Sequence, residues 1–390
     1  MLANQPVMRR GPATWYAYIS IGIFTFFLVV QGNVLPLVKQ ELNLSYGVAS
    51  LHSSAIALGM IAVGLWGERL VRRWGQLRVL NLGLLGAAAG AVLLSMAPVA
   101  WMTIGSCALI GAFGALVPAV NPTILAALHP HRRDVAITEA AVVCYGFAIL
   151  APLLMSLSIA WFDGWRPVLL VSGVFAAAIA LAFRRTTIVE PPRFSQSPSA
   201  GLPVAFWAYW GLLALVVAIE LCILIWAPTF LGEVAGMPLA QAAWGAAAFS
   251  VAMLIGRLAG SALVRHIRSQ HLVLGALIVT ALAFPIYWHA DRPWPAIAGL
   301  FGLGLGVALL YPLSVGMAIG AAGDRASAAG ARFMLAAGLA LLLMPFALGA
   351  LGDQVGIHIA HLIVPILVTA ALILLGAARI LERRSHTRTA

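Results

Sequence analysis

Polar residues are scarce along this chain and gather in short clusters, and the apolar stretches between them are long enough to cross a bilayer. A hydrocarbon core of about 30 Å takes roughly 20 helical residues at about 1.5 Å each. Twelve stretches have that length, at about 15–38, 47–70, 78–97, 99–128, 135–160, 165–183, 204–231, 238–264, 271–290, 294–322, 326–350 and 356–381. The pattern predicts an all-α membrane protein with twelve transmembrane helices. Its shallowest separations fall near residues 98 and 323.

The pattern also repeats. Gly67, Glu68, Arg69, Leu70, Val71 and Arg72 return 193 residues later as Gly260, Ser261, Ala262, Leu263, Val264 and Arg265. At the same offset Pro152 returns as Pro345, and Glu139 falls where Arg332 stands. An offset close to half the chain reads as two copies of one membrane unit, an arrangement that commonly builds a solute path between the copies. The predicted division is an N-terminal six-helix bundle over 1–183, a cytoplasmic linker over 184–203, and a C-terminal six-helix bundle over 204–390. The linker reading rests on a polar, proline-rich stretch that includes Pro191, Pro192 and Pro198.

Composition supports the membrane reading. Apolar residues make up 62% and charged residues 9%, against about 25% charged in soluble domains, and the mean hydropathy is +1.00. The net charge of +11 would suit a nucleic-acid partner, but its distribution argues against one. Of 23 Arg and Lys, 18 lie at the termini or in the loops between even and odd helices. Lys39, Arg166 and Arg292 lie on the other side, and Arg257 and Arg332 lie within spans. This positive-inside bias predicts that both termini lie in the cytoplasm. The basic clusters at Arg69, Arg72, Arg73 and Arg78, at His129, His131, Arg132 and Arg133, and at Arg383 and Arg384 are read as topology signals and lipid-headgroup contacts. Arg9 and Arg10 precede an apolar stretch longer than a signal-peptide core, which predicts a retained first helix.

Cys107, Cys144 and Cys222 sit inside apolar spans at no metal-ligand spacing and read as packing residues, with neither disulfide nor zinc. The small residues Gly83, Gly86 and Gly90, and Gly302, Gly304 and Gly306, predict close helix approach in lipid. Prolines inside spans, among them Pro36, Pro118, Pro122, Pro152, Pro228, Pro312 and Pro345, remove backbone hydrogen bonds and can bend helices.

With these features in place, the segment from Gly64 through Glu68 and Arg69 to Arg72, Arg73 and Gly75 resembles the basic loop between helices two and three of the major facilitator superfamily. Its echo from Gly256 and Arg257 to Arg265 and His266 is similar to that superfamily's second copy. Glu68 stands in place of the usual Asp. The resemblance covers essentially the whole chain and implies the major facilitator fold. Within the superfamily, Gly111 to Gly114 with Asn121 and Pro122, and Glu220 with Trp226, resemble the fucose permease and hexose:proton symporter group. That group's acid four residues before the Asn is Val117 here, and its first-helix Asp has no acidic counterpart, so the resemblance does not carry sugar symport. Thr138, Glu139 and Ala140 resemble a fifth-helix segment of bacterial permeases, a likeness that names no substrate.

A charge at the bilayer centre costs at least roughly 2.5–3.5 kcal/mol, so each buried acid or Arg needs a partner, a wet cavity or a proton. Glu220 is the acid nearest a span centre and is the proton-coupling candidate, with a neutral, hydrogen-bonded structural Glu as the other reading. Glu139, Arg257 and Arg332 lie nearer the cytoplasmic ends of their spans and are gate candidates with Glu68. The superfamily's helix arrangement implies Glu139 against Arg257, with Arg332 reaching Glu139 or Glu68, while snorkelling to headgroups is the alternative for each Arg. Gln31, Asn33, Asn121, Tyr145, Trp226 and Tyr311 are substrate-cavity candidates, because amides, phenols and an aromatic wall can orient a solute without a buried charge. His52 and His289, near span ends, read as interfacial.

These residues predict a secondary active transporter that moves a small organic solute by alternating access. The expected partners are the solute, protons and membrane lipids, with no nucleic acid, no cofactor and no metal, in a monomer. Multidrug or metabolite efflux by proton antiport is the second reading, from the stretch Gly146 to Pro152, which lacks the antiporter Gly-Pro pair. No cluster suits a membrane enzyme, and no soluble domain suits a receptor.

Overall fold

The computed structural model describes residues 10–187, 202–322 and 326–389, with the side chains at 134, 261, 326–331 and 382–389 excepted. Most of the linker segment 184–203, Arg9 and the side chains of Arg383 and Arg384 therefore lie outside the described residues. What is described is all-helical. The helices are α1 (Pro12–Glu41), α2 (Tyr46–Trp74), α3 (Gln76–Met96), α4 (Ala100–Gly114), α5 (Leu116–Leu128), α6 (Arg133–Phe162), α7 (Arg166–Ala182) and α8 (Val204–Glu233). They continue with α9 (Leu239–Gly245), α10 (Ala247–Leu263), α11 (Ser269–Trp288), α12 (Pro293–Val307), α13 (Leu310–Ala322), α14 (Ala326–Ala360) and α15 (Ile363–Thr389).

Three pairs, α4 with α5, α9 with α10 and α12 with α13, each make one bent crossing, so fifteen helices give twelve crossings. Eleven are long and apolar enough to span by themselves, and the remaining one, α7, is an apolar helix of 17 residues. Local chemistry sets the ends. Prolines open α1, α7 and α12, where a missing N–H costs nothing. The Ser45 side chain caps α2 by accepting from the Val48 N–H at 3.2 Å. Gly75, at φ 79, turns the chain from α2 into α3, and Asp163, at φ 50, ends α6 in the left-handed region.

Small residues then bring the helices together. A Cβ on Gly90 would stand 3.0 Å from the Ile110 nitrogen, and one on Gly306 2.7 Å from the Thr280 nitrogen. Both helix pairs thus touch backbone to backbone, which maximises dispersion contact where lipid offers no apolar driving force. The stripes at Gly83 to Gly90 and Gly302 to Gly306 are packing surfaces.

Crossings one to six contact one another through α1 with α6, α3 with α4 and α7, and α2 with α4. Crossings seven to twelve do so through α8 with α13, α14 and α15, α10 with α12, and α11 with α12. The seam between the two sets is made by α2 against α14, α6 against α9 and α10, and α1 against α8. Glu139 lies on the fifth crossing and Arg332 on the eleventh, which are equivalent positions in a repeat of six.

Candidate functional site

Beside the seam, α8 brings Glu220, α10 Arg257, α13 Tyr311 and α6 Tyr145. All four interact electrostatically with one another's neighbours in the group: Glu220 with Arg257, and each tyrosine with both. All four are partly exposed, while α8 beyond Glu220 is buried almost without a break from Cys222 to Leu231. The four therefore border a partly exposed space at the seam, called the chamber below, and the buried run of α8 lies between it and the end of the bundle where α8 stops, here called the far face. The opposite end, which carries the termini, is the terminal face.

The position of Arg257 follows from a proline. Pro312 has no N–H, so the carbonyl four residues earlier, that of Ala308, loses its helical donor, and α12 gives way to α13 at this point. An unpaired carbonyl inside a membrane costs several kcal/mol, in order of magnitude, unless another group supplies the donor. Arg257 Nε supplies it, at 3.0 Å. The guanidinium also lies over the Tyr145 ring, 4.7 Å from its centroid, so the contact crosses the seam. Arg257 and Glu220 sense each other's charge without closing a direct ion pair.

The expected gate groups are arranged differently. Glu139 does not meet Arg257 or Arg332. Arg10 holds it with two hydrogen bonds, Nε to Oε2 at 2.9 Å and the terminal nitrogen to Oε1 at 2.5 Å, and the Tyr18 hydroxyl donates a third at 2.9 Å. All three residues belong to the first half of the chain. Hydrogen bonding to Glu139 raises the Arg10 pKa. Arg332 lies over Trp207 at 5.4 Å, and its carbonyl accepts from Trp210 Nε1 at 2.7 Å, so it is occupied within the second half. Glu68 accepts from Arg72 one turn on, at 3.0 Å, an exposed pair of small energetic weight. The physical reason for the altered pairing is separation: α2 is buried from Gly47 to Met60 apart from Val48, Leu51 and Leu58, but beyond Met60 only Gly67 of α2 is buried.

Of the expected cavity residues, Tyr145 and Tyr311 stand in the chamber and four do not. Gln31, Asn33, Asn121 and Trp226 are at most 7% exposed and cannot be reached from it. Gln31 donates to Ser53 at 2.9 Å beside a void of about 20 Å³, and Asn33 turns back to the Val29 carbonyl at 3.3 Å. Asn121 ties α5 to α1 through the Ala17 carbonyl at 2.7 Å. Trp226 donates to the Pro345 carbonyl at 3.2 Å and packs edge-on against Tyr46 across the seam, above the chamber. An apolar stretch does not reveal which amide finds a partner inside the bundle. His52 is likewise buried, bridging the Ala49 carbonyl at 2.7 Å and the Thr103 hydroxyl at 2.8 Å, whereas His289 is exposed.

The sequence reading missed the closure of the far face. Asp353 on α14 accepts the Tyr46 N–H at 2.6 Å and the Gly47 N–H at 2.8 Å, capping the first turn of α2 from across the seam. Glu233, at the end of α8, accepts from the Tyr46 hydroxyl and pairs with Lys39 at 3.4 Å. Lys39 also lies 3.8 Å over the Tyr46 ring. The available signal was scarcity: with 12 acids in the chain, one at the end of an apolar run is conspicuous. Among the described residues no three His, Cys, Asp or Glu side chains gather in a metal-binding group.

The sequence profile of the Major Facilitator Superfamily matches residues 17–335. The cyanate transport protein CynX of Escherichia coli (strain K12) is 25% identical over 308 residues, which are 75% of this chain and 77% of that one. An uncharacterised MFS-type transporter of Yersinia pestis is 31% identical over 126 residues, 31% of this chain and 33% of that one. Among solved structures, a bacterial homologue of the human lysosomal transporter Spinster, inward-facing and unoccupied, superposes with a TM-score of 0.75 at 14% identity. That match covers 95% of this chain and 98% of that one. A mutant of the nucleoside transporter NupG gives a TM-score of 0.77 at 11% identity over the same shares of each chain.

Proposed function

The chain belongs to the major facilitator superfamily and is a secondary transporter, and on that premise we propose that it moves a small organic solute by alternating access, coupled to protons through Glu220. The observation that carries this reading is the chamber itself. Glu220 and Arg257 share a partly exposed space at the seam with Tyr145 from the other half, behind a closed far face. A carboxyl there can exchange a proton with one side of the membrane while sealed from the other.

The two six-helix units, 1–183 and 204–390, would rock about this site, joined by 184–203 in the cytoplasm. Positive-inside bias would make the terminal face cytoplasmic and the far face periplasmic in a bacterial inner membrane, so a chamber closed at the far face would load from the cytoplasm. On closure of the cytoplasmic side Glu139 would exchange Arg10 for Arg332, with Glu68 near the same rim. Arg257 belongs with Glu220 rather than with that gate. Gln31, Asn33, Asn121 and Trp226 would meet solute only if the opposite conformation uncovers them. The protein would work as a monomer among lipids.

Proteoliposomes test the coupling. A solute that raises the melting temperature of the purified protein in a screen of sugars, organic acids, amino acids and organic cations is the transport probe. Glu220→Gln keeps the shape but not the titration, so it should abolish accumulation driven by a pH gradient and spare solute exchange. Undiminished accumulation by Glu220→Gln would remove Glu220 from the coupling role.

A further inference from the structure

We propose that the chamber takes a small organic monoanion together with one proton, the anion on Arg257 and the proton on Glu220. This rests on the transport reading above and names its substrate class.

The first ground is the state of the guanidinium. Nε is engaged by the Ala308 carbonyl and the face by Tyr145, which fixes the plane of the group. The two terminal NH₂ groups make no hydrogen bond among the described residues, and Glu220 closes no ion pair with them. Those two groups form the fork that meets a carboxylate or another small anion in parallel hydrogen bonds. The Tyr145 and Tyr311 hydroxyls also lack hydrogen-bond partners among the described residues and can donate to the same anion. A cationic solute would instead have to displace or outbid Arg257.

The second ground is charge balance. The titratable groups facing Glu220 are Arg257 from α10, Tyr145 from α6 and Tyr311 from α13, with Cys144 of α6 beside Arg257 and Tyr145. The other helices packed on α8, namely α1, α9, α12, α14 and α15, add no titratable group to this set among the described residues. With Glu220 ionised and Arg257 charged, the empty site is neutral. An anion arriving alone would leave one uncompensated negative charge inside the membrane, which is strongly disfavoured. An anion arriving with a proton on Glu220 restores neutrality. The two neutral states, empty with Glu220 ionised opposite the Arg257 charge or loaded with both ligands, are the ones that reorient at low cost. The result is electroneutral symport with one proton per anion.

The experiment uses the full-length protein in detergent, titrated calorimetrically at pH 5.5, 6.5 and 7.5. The probes are formate, lactate, benzoate and cyanate as monoanions, glucose as a neutral solute and choline as a cation. At least one monoanion should bind, with affinity rising as pH falls toward about tenfold per pH unit, the slope for one co-bound proton. Glu220→Gln should bind it tightly with no such slope. Arg257→Gln should bind it at least tenfold more weakly, and if that variant does not fold, the loss of slope in Glu220→Gln decides. Anion binding unaffected by Arg257→Gln, or the same slope in Glu220→Gln as in the parent, overturns the proposal. Binding of glucose or choline alone also overturns it. In that case the transport reading stands separately, provided that Glu220→Gln still abolishes proton-driven accumulation of that solute.

Discussion

Removing Asp353 should open the far face, and the size of the effect can be worked from its contacts. Its carboxylate accepts two backbone N–H groups, from Tyr46 at 2.6 Å and Gly47 at 2.8 Å, at the N-terminal turn of a helix in the other half. Hydrogen bonds to charged groups contribute about 1.5–3 kcal/mol each, but Asp353 is exposed, so about 1 kcal/mol each is the appropriate scale. The helix dipole adds about 0.3–1 kcal/mol. Together these give about 2–3 kcal/mol in favour of the closed far face, or a population ratio of about 30- to 150-fold at 1.4 kcal/mol per decade. The assay is labelling of a cysteine in place of Thr229, which is 1% exposed beneath Lys39 and Glu233, in a background with Cys107, Cys144 and Cys222 replaced by Ala. Asp353→Ala should speed labelling by at least about 30-fold, following the lower bound of that ratio. Asp353→Asn, which keeps one acceptor, should speed it by about fivefold, the equivalent of one weak bond. Labelling of Asp353→Ala within twofold of the parent would refute the reasoning, because the tie would then not hold the halves together.

The remaining predictions concern other parts of the fold. Pro312→Ala restores a helical donor for the Ala308 carbonyl and so competes with Arg257 Nε; solute affinity should fall several-fold at unchanged melting temperature, and unchanged affinity would show that the proline does not set the guanidinium. Gly59→Leu would drive a Cβ to 2.2 Å from the Ala112 nitrogen, so the purified protein should lose about 1–3 kcal/mol or more of stability, read as a lowered melting temperature. His361, buried between α14 and α15, has its pKa lowered to about 4 by desolvation. Its contribution to stability is thus complete above the unfolded pKa of about 6.5 and is lost as pH falls from there to about 4, with a ceiling of about 3 kcal/mol. The melting temperature should drop between pH 7 and pH 5, and His361→Gln should flatten that drop.

Glu220 can be singled out from sequence as a candidate because its signal is local: an acid at the middle of an apolar run must be neutralised, partnered or wetted whatever surrounds it. The twelve crossings were equally legible, since bilayer thickness imposes a length and the cost of charge clears the interior. Tyr145 and Tyr311 were visible as polar groups in spans, but so were Gln31, Asn33, Asn121 and Trp226, which the fold encloses. Which of these faces the seam depends on the rotation of each helix, and spans that are apolar on nearly every side carry little information about rotation.

Arg257 shows where tertiary structure decides. Its place in a span was plain, yet its partners are a carbonyl released by a proline 55 positions later in the chain, a ring from the other half and an acid on a neighbouring helix. Glu139 is the converse, an acid whose counterpart proved to be Arg10 in a segment before the first helix. By itself the sequence determined which residues must lie in the membrane and which of them carry a charge that needs an answer. The tertiary structure decided the answers, because ion pairing and hydrogen bonding depend on separations of a few ångströms that only the packing and conformational state of the helices set.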